Sequence, residues 1–143
     1  MRTVPAANLV DLTAAIMQGG GSSPDEARTI ARRLVDSNLV GHDSHGVLRV
    51  RKYLEWVQLG WLRPNTPPTI VFESDAIAII DGNRGFGQVT GEFATNLGIA
   101  KAAHMGIAMV GVCLLHRRGY FRQELDVDGN QSEVPEVWPV AEV

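Results

Sequence analysis

The densest group of side chains that could do chemistry lies between residues 42 and 49. The run His42–His45, "HDSH", is followed by a glycine and, four residues after His45, by Arg49. An imidazole exchanges protons near neutral pH, and a guanidinium binds a carboxylate through paired hydrogen bonds. If a helix begins at Gly46 or Val47, His45 lies at its N-terminus and Arg49 lies along the same face. The pair would then present a proton donor and a carboxylate clamp to one small molecule.

The same residues also admit a purely structural interpretation. Ser44 or Asp43 would cap a helix, His45 would be a hydrogen-bonded turn residue, and Arg49 would be one solvated cation among several. We expect no metal site, because His42 and His45 are three residues apart and no third ligand has a diagnostic spacing. A serine hydrolase is also excluded, since Ser44 does not lie in a G-x-S-x-G elbow.

A second feature is the glycine-rich stretch "IIDGNRGFGQVTG" at residues 79–91. Its spacing, G-x-G-x-x-x-G, is one residue off the fingerprint that binds the pyrophosphate of dinucleotides. Residues 81–84 separate the expected strand from the first of these glycines, so we predict a strand-to-helix turn with close backbone packing. The alternative is a small standalone NADP-binding module that uses residues 82–91.

The elements that must position these residues follow from hydrophobic periodicity and from helix and turn signals. Ser23, Pro24 and Glu26 form the pattern of a capping box at the start of the second helix. The fold class predicted is α/β, with an N-terminal helical segment followed by a mixed α/β part that has a short hairpin and a buried strand. In chain order we expect a helix at 5–18, a helix from 24 to about 39, a helix beginning at 46 or 47, strands at 69–74 and 76–82, a helix at 91–106 and a buried strand at 107–115.

Composition indicates a globular protein of about one domain. The chain has 143 residues, of which 45% are hydrophobic and 20% charged, and its net charge of -3 gives no reason to expect nucleic acid or a membrane as partner. The N-terminus lacks the pattern of a signal peptide or a membrane span. The single cysteine, Cys113, excludes an intramolecular disulfide, and we expect a cytoplasmic protein in which this thiol fills the core.

The last 22 residues differ from the rest. Residues 122–143 hold six acidic residues against one basic residue, with two prolines and no helical or strand period. We therefore divide the chain into a domain at 1–121 and an acidic tail at 122–143 that is expected to be disordered. The run "DVDGNQSE" at 126–133 has its glycine at the fourth position rather than the sixth, which argues against a calcium loop.

Two blocks in combination carry a family resemblance over roughly residues 5–121. The blocks D-S-H-G-x-x-R (43–49) and D-G-x-x-G-x-G-Q (81–88) resemble the N-terminal part of the malate/L-lactate dehydrogenase family, which is distinct from the Rossmann-fold lactate and malate dehydrogenases. The resemblance implies hydride transfer between NAD or NADP and a small 2-hydroxy or 2-oxo acid. It implies that His45 is the catalytic acid, Ser44 its relay partner and Arg49 the clamp on the substrate carboxylate.

The resemblance also implies cofactor contacts and a family-like homodimer. His116, Gly119 and Tyr120 in "CLLHRRGYF" match the family's cofactor-binding segment only with a residue or two deleted. Family members are much longer, and most nicotinamide contacts belong to the part that follows the matched region. We therefore expect a fold incomplete relative to the family, in a truncated or frameshifted and inactive fragment. A non-catalytic interaction fragment is a further alternative.

Overall fold

The computed structural model describes residues 3–113. The implied cofactor residues His116, Gly119 and Tyr120 and the acidic tail lie outside the described residues, so the statements about them stay predictions. The helices are α1 (Ala6–Gly19), α2 (Pro24–Leu39), α3 (Arg49–Gln58) and α4 (Gly87–Met105), with a 3-10 helix at Asp43–His45. The strands are β1 (Thr69–Glu73), β2 (Ile77–Asp81) and β3 (Met109–Cys113). None of the described helices combines the length and the apolar character that crossing a bilayer requires.

Helix α2 is the centre of the hydrophobic core. Its apolar stripe is buried, as its helical spacing indicates: Ala27, Ile30, Ala31, Leu34 and Val35 are at most 2% exposed. Met17 of α1, Val50 of α3 and Phe86, just before α4, pack into the same cluster. Because four helical segments meet on this stripe, the start of α3 and the start of α4 are held relative to one another.

The N-terminus of α2 is capped by Ser23, but only half of the predicted capping box is present. The Oγ of Ser23 accepts a hydrogen bond from the backbone N–H of Glu26 at 3.3 Å. The carboxylate of Glu26 accepts the N–H of Asn65 at 2.9 and 3.0 Å instead of reaching back to Ser23. The Oδ1 of Asn65 receives the N–H of Ser23 at 2.6 Å. The loop before β1 therefore completes the cap that the sequence pattern assigned to the helix itself.

The three strands form one mixed sheet in the order β1-β2-β3. Strands β1 and β2 pair antiparallel as the predicted hairpin, which turns around Ser74, whose Oγ accepts the N–H of Ile77 at 3.2 Å. Strands β2 and β3 pair parallel, and α4 connects them. Ala78 and Ile80 of β2 are fully buried, whereas Ile79 points to the other face and is 39% exposed.

Two predicted features of the last elements need correction. Helix α4 begins at Gly87, four residues before the predicted start, although it ends as predicted at Gly106, which has a left-handed φ of 77°. Strand β3 is not buried among the described residues, since Met109 and Val112 are 63% and 46% exposed. The reason is its position at the sheet edge: β3 pairs with β2 alone in the described part of the chain, and α4 contacts it where Val110 packs against Gly98.

Candidate functional site

The segment from His42 to Leu48 is a turn rather than the first turn of a helix. Asp43–His45 forms a 3-10 helix, and Gly46 ends it with an extended backbone (φ -87°, ψ -155°). Helix α3 therefore begins at Arg49, two or three residues later than predicted. His45 does not lie at the N-terminus of α3, because the extended backbone of Gly46 interrupts the helical path between His45 and Arg49.

The turn nevertheless brings the three predicted site residues together through Ser44. The Oγ of Ser44 lies 3.0 Å from Nδ1 of His45, and the proton's position between them depends on the imidazole tautomer. The backbone carbonyl of Ser44 accepts a hydrogen bond from Nε of Arg49 at 3.0 Å. One residue thus contacts both the imidazole and the guanidinium. The catalytic roles that the resemblance implies for these three residues remain predictions.

These contacts leave the chemically useful edges of both side chains available. Among the described residues, Nε2 of His45 and the two terminal nitrogens of Arg49 make no hydrogen bond. The terminal nitrogens form the fork that pairs with a carboxylate. Residues 42–45 are exposed and Arg49 is half-buried, so the site is open to a small solute.

His42 lies beside the predicted acid without joining the hydrogen-bonded chain. Its ring meets the ring of His45 edge-to-face, with the centroids 4.9 Å apart and an interplanar angle of 83°. Within residues 3–113, no three His, Cys, Asp or Glu side chains come together as a metal-binding group. The ring of His42 thus contacts the imidazole of His45 by packing alone.

Asn38, near the end of α2, is a site residue that the sequence reasoning missed. Its Oδ1 accepts the backbone N–H of Val47 at 2.9 Å, and its Nδ2 donates to the Asp43 carboxylate at 2.5 Å. A Cβ on Gly46 would collide with the Asn38 amide. The signal in the sequence was an amide residue shortly before a polar turn that contains a glycine.

The glycine-rich loop is a packed strand-to-helix turn, as predicted. Asn83 and Arg84 adopt left-handed φ values of 52° and 64°, and the N–H of Gly85 donates to the carbonyl of Gly82 at 2.7 Å. A Cβ on Gly85 would lie 2.5 Å from the carbonyl oxygen of Thr66. The space that the missing side chain leaves at Gly85 is filled by protein backbone. At Gly85 the loop therefore leaves no room for a phosphate group of NAD or NADP.

Comparison with known proteins addresses the family directly. Residues 4–122 match the sequence profile of the malate/L-lactate dehydrogenase family. The chain belongs to this family. The resemblance drawn from the two sequence blocks is therefore confirmed.

Several characterised members of the malate/L-lactate dehydrogenase family are similar over most of this chain. Hydroxycarboxylate dehydrogenase B of Escherichia coli O157:H7 is 38% identical over 118 residues, which are 80% of this chain and 33% of the relative. L-sulfolactate dehydrogenase of Methanocaldococcus jannaschii is 38% identical over 95 residues, 66% of this chain and 28% of the relative. The chain spans about a third of the length of the relatives it matches.

Solved structures of family members share the fold. The sulfolactate dehydrogenase from Methanocaldococcus jannaschii superposes with a TM-score of 0.73 at 35% identity, over 76% of this chain and 32% of that one. Malate dehydrogenase from Pyrococcus horikoshii OT3 gives a TM-score of 0.73 at 31% identity, over 76% of this chain and 31% of that one. The mixed α/β fold of the described residues is thus the N-terminal part of the family fold, which confirms the predicted fold class.

Proposed function

We propose that this chain supplies the proton donor and the carboxylate clamp of an NAD- or NADP-dependent oxidoreductase that interconverts small 2-hydroxy and 2-oxo acids. The observation that carries the proposal is the double contact of Ser44, whose side chain meets His45 and whose carbonyl meets Arg49. The names of the relatives support the substrate class, since they are dehydrogenases of hydroxycarboxylates, malate and sulfolactate.

The proposed chemistry follows from the atoms of Arg49 and His45 that make no hydrogen bond among the described residues. The terminal nitrogens of Arg49 bind the substrate carboxylate and thereby place its 2-oxo group near the turn. His45 donates the proton from Nε2 to the carbonyl oxygen, which becomes the hydroxyl of the product. Ser44 orients the ring through Nδ1, and the imidazole regains the proton it gave up from solvent, to which residues 42–45 are exposed. NAD(P)H, when bound, supplies the hydride that the carbonyl carbon receives.

For this chain taken by itself we propose substrate binding without turnover. Hydride transfer requires the acid, the clamp and the nicotinamide at near-attack distance from one another. The chain spans about a third of the length of the relatives it matches, and the resemblance implies that most nicotinamide contacts belong to the part that follows the matched region. We further propose a small carboxylate as the only bound partner class, a cytoplasmic location and a family-like homodimer.

The first experiment measures whether Arg49 is a carboxylate clamp. Isotope-labelled protein is titrated with pyruvate while the Nε–H signal of Arg49 and the backbone amides of the turn are followed by NMR. We expect saturable shifts at the turn, and Arg49→Lys weakens binding about tenfold because a lysine lacks the planar fork. Arg51→Lys, on the same helix, is the matched control and leaves binding unchanged. If both variants bind pyruvate like the parent, Arg49 is not the clamp.

The second experiment measures hydride transfer. NADH or NADPH is mixed with pyruvate or oxaloacetate and the loss of the reduced nicotinamide absorbance is recorded. We expect no loss with this chain alone. Turnover that His45→Ala abolishes and His42→Ala retains would assign the acid role while disproving inactivity. Turnover that survives His45→Ala would overturn the acid role.

One observation favours the alternative of an NADP-binding module. Strand β2, helix α4 and strand β3 form a parallel strand-helix-strand unit, the arrangement in which nucleotide sites occur. The contact between Gly85 and Thr66 argues against it. Titration with NADPH, followed by the fluorescence of Trp56 and Trp61, decides between them. A saturable change supports the module, and no change at millimolar cofactor excludes it.

A further inference from the structure

We infer that Asn38 is a positioning residue that holds the turn bearing Ser44 and His45 in the geometry the reaction needs. The inference rests on the proposed function for the roles of His45 and Arg49. Asn38 itself is placed to touch the turn rather than the substrate, because both polar atoms of its amide are bonded to turn residues.

The two hydrogen bonds of Asn38 reach the chain on either side of Ser44 and His45. Its Nδ2 donates to Asp43, immediately before Ser44, and its Oδ1 accepts from the N–H of Val47, two residues after His45. Among the described residues, the other side chain that bonds this turn from outside is that of Arg49, whose contact is itself part of the candidate site. The amide of Asn38 is therefore a side-chain anchor that does not depend on the groups it positions, and it adds to the backbone bond from the N–H of His42 to the carbonyl of Ser37.

Gly46 makes the close approach of the amide feasible. It is buried although residues 42–45 beside it are exposed, and a Cβ at this position would collide with the Asn38 side chain. The turn thus lies directly on the amide. Asn38 in turn is carried by the last turn of α2, and the preceding Leu34 and Val35 are at most 2% exposed. The core of the protein fixes the position of Asn38, and Asn38 fixes the position of the turn.

Opposite Asp43 and the N–H of Val47, the side chain at position 38 must both donate and accept a hydrogen bond. The Asp43 carboxylate only accepts a hydrogen bond and the Val47 N–H only donates one, so one short side chain must offer both a donor and an acceptor. Leucine has a similar size but no polar atoms. Asn38→Asp keeps the acceptor and places two carboxylates against each other. Combining Asn38→Asp with Asp43→Asn exchanges donor and acceptor and restores both bonds.

The test follows the turn directly in the full chain by NMR. We expect Asn38→Leu to keep the fold while the Val47 amide exchanges with solvent about tenfold faster. We also expect the ratio of the two His45 tautomers to change, because the contact of Nδ1 with Ser44 loosens. This ratio is read from the long-range proton–nitrogen couplings of the ring. The exchange of N38D combined with D43N restores both readouts, whereas N38D alone does not. Ser37→Ala, one residue away on α2, leaves both unchanged.

A pyruvate titration separates this inference from the proposed function. Asn38→Leu weakens pyruvate binding about tenfold and the double exchange restores it. If neither the parent protein nor any variant binds pyruvate, the proposed function is wrong. The amide exchange of Val47 and the His45 tautomer then still test the role of Asn38. If Asn38→Leu does not fold, the variant N38D is compared with the double variant N38D/D43N, and this pair tests the same contact. Unchanged amide exchange and unchanged tautomer in the Asn38 variants would overturn the inference.

Discussion

At the scale of residues, contacts made by one or two atoms decide what Ser44 and Gly85 do in this protein. Ser44 joins His45 to Arg49 by one side-chain oxygen and one carbonyl oxygen, and Gly85 matters because it has no side chain at all. At both places the distances between neighbouring atoms decide what the residue does. Substitutions of a single methyl group are therefore informative.

Gly85→Ala is expected to destabilise the protein, because the added methyl group would lie 2.5 Å from the carbonyl oxygen of Thr66. Displacing that backbone costs about 1–3 kcal/mol of unfolding free energy, measured by urea denaturation. Gly87→Ala is the matched control: nothing lies within 4 Å of its added Cβ. Alanine at this first helical position is neutral or stabilises by up to about 1 kcal/mol. Equal stability of the two variants would contradict the packing role of Gly85.

At the scale of elements, the start of α2 depends on a loop distant in the sequence. Glu26 is 9% exposed and its carboxylate receives the N–H of Asn65, while Asn65 receives the N–H of Ser23. The buried stripe of α2 runs from Ala27 to Val35, and Asn38 follows it in the last turn of the helix. Loosening its first turn therefore weakens the element that supports the candidate site.

Glu26→Ala is expected to lower the free energy of unfolding by about 1–3 kcal/mol, because it removes the nearly buried carboxylate that accepts the N–H of Asn65. Glu55→Ala is the control: this exposed residue pairs with Lys52 at 3.3 Å on the surface of α3. Such pairs contribute between about 0 and 1 kcal/mol. Chemical denaturation of the two variants gives the comparison, and a smaller loss for Glu26→Ala than for Glu55→Ala would refute the role of the loop.

At the scale of the whole molecule, one face of the sheet is apolar and exposed within the described residues. Phe72 pairs with Ile79, and Met109 pairs with Ile77, so these side chains share the face opposite α4. Phe72, Ile79 and Met109 are 51%, 39% and 63% exposed. Contiguous apolar surface of this kind favours association.

We expect the purified protein to self-associate with increasing concentration, as measured by sedimentation velocity. Phe72→Lys reduces the association, because a charge on this face must be desolvated in any contact, and it leaves the melting temperature nearly unchanged. Ile99→Lys replaces an exposed side chain of α4, 64% accessible, and serves as the control that leaves association unaltered. A protein that stays monomeric at all concentrations would show that this face does not mediate self-association.

The sequence by itself determined the elements and the family. Helices, strands and turns are formed by neighbours in the chain, so local spacing is enough to predict them. It predicted the apolar stripe of α2, the cap at Ser23, the hairpin around Ser74 and the end of α4 at Gly106. The blocks at 43–49 and 81–88 identified the family, and the first of them contained the candidate acid and clamp.

Tertiary structure decided how these parts are held. Contacts between segments far apart in the chain pair Glu26 with Asn65 and place the carbonyl of Thr66 against Gly85. Packing of the folded chain also sets the start of α3 at Arg49 and the exposure of β3. Asn38 contacts the turn because α2 ends beside it, and no periodicity reveals which backbone group an amide will meet. Local patterns therefore predicted which residues form the candidate site, whereas only the folded chain revealed what holds His45 and Arg49 in place.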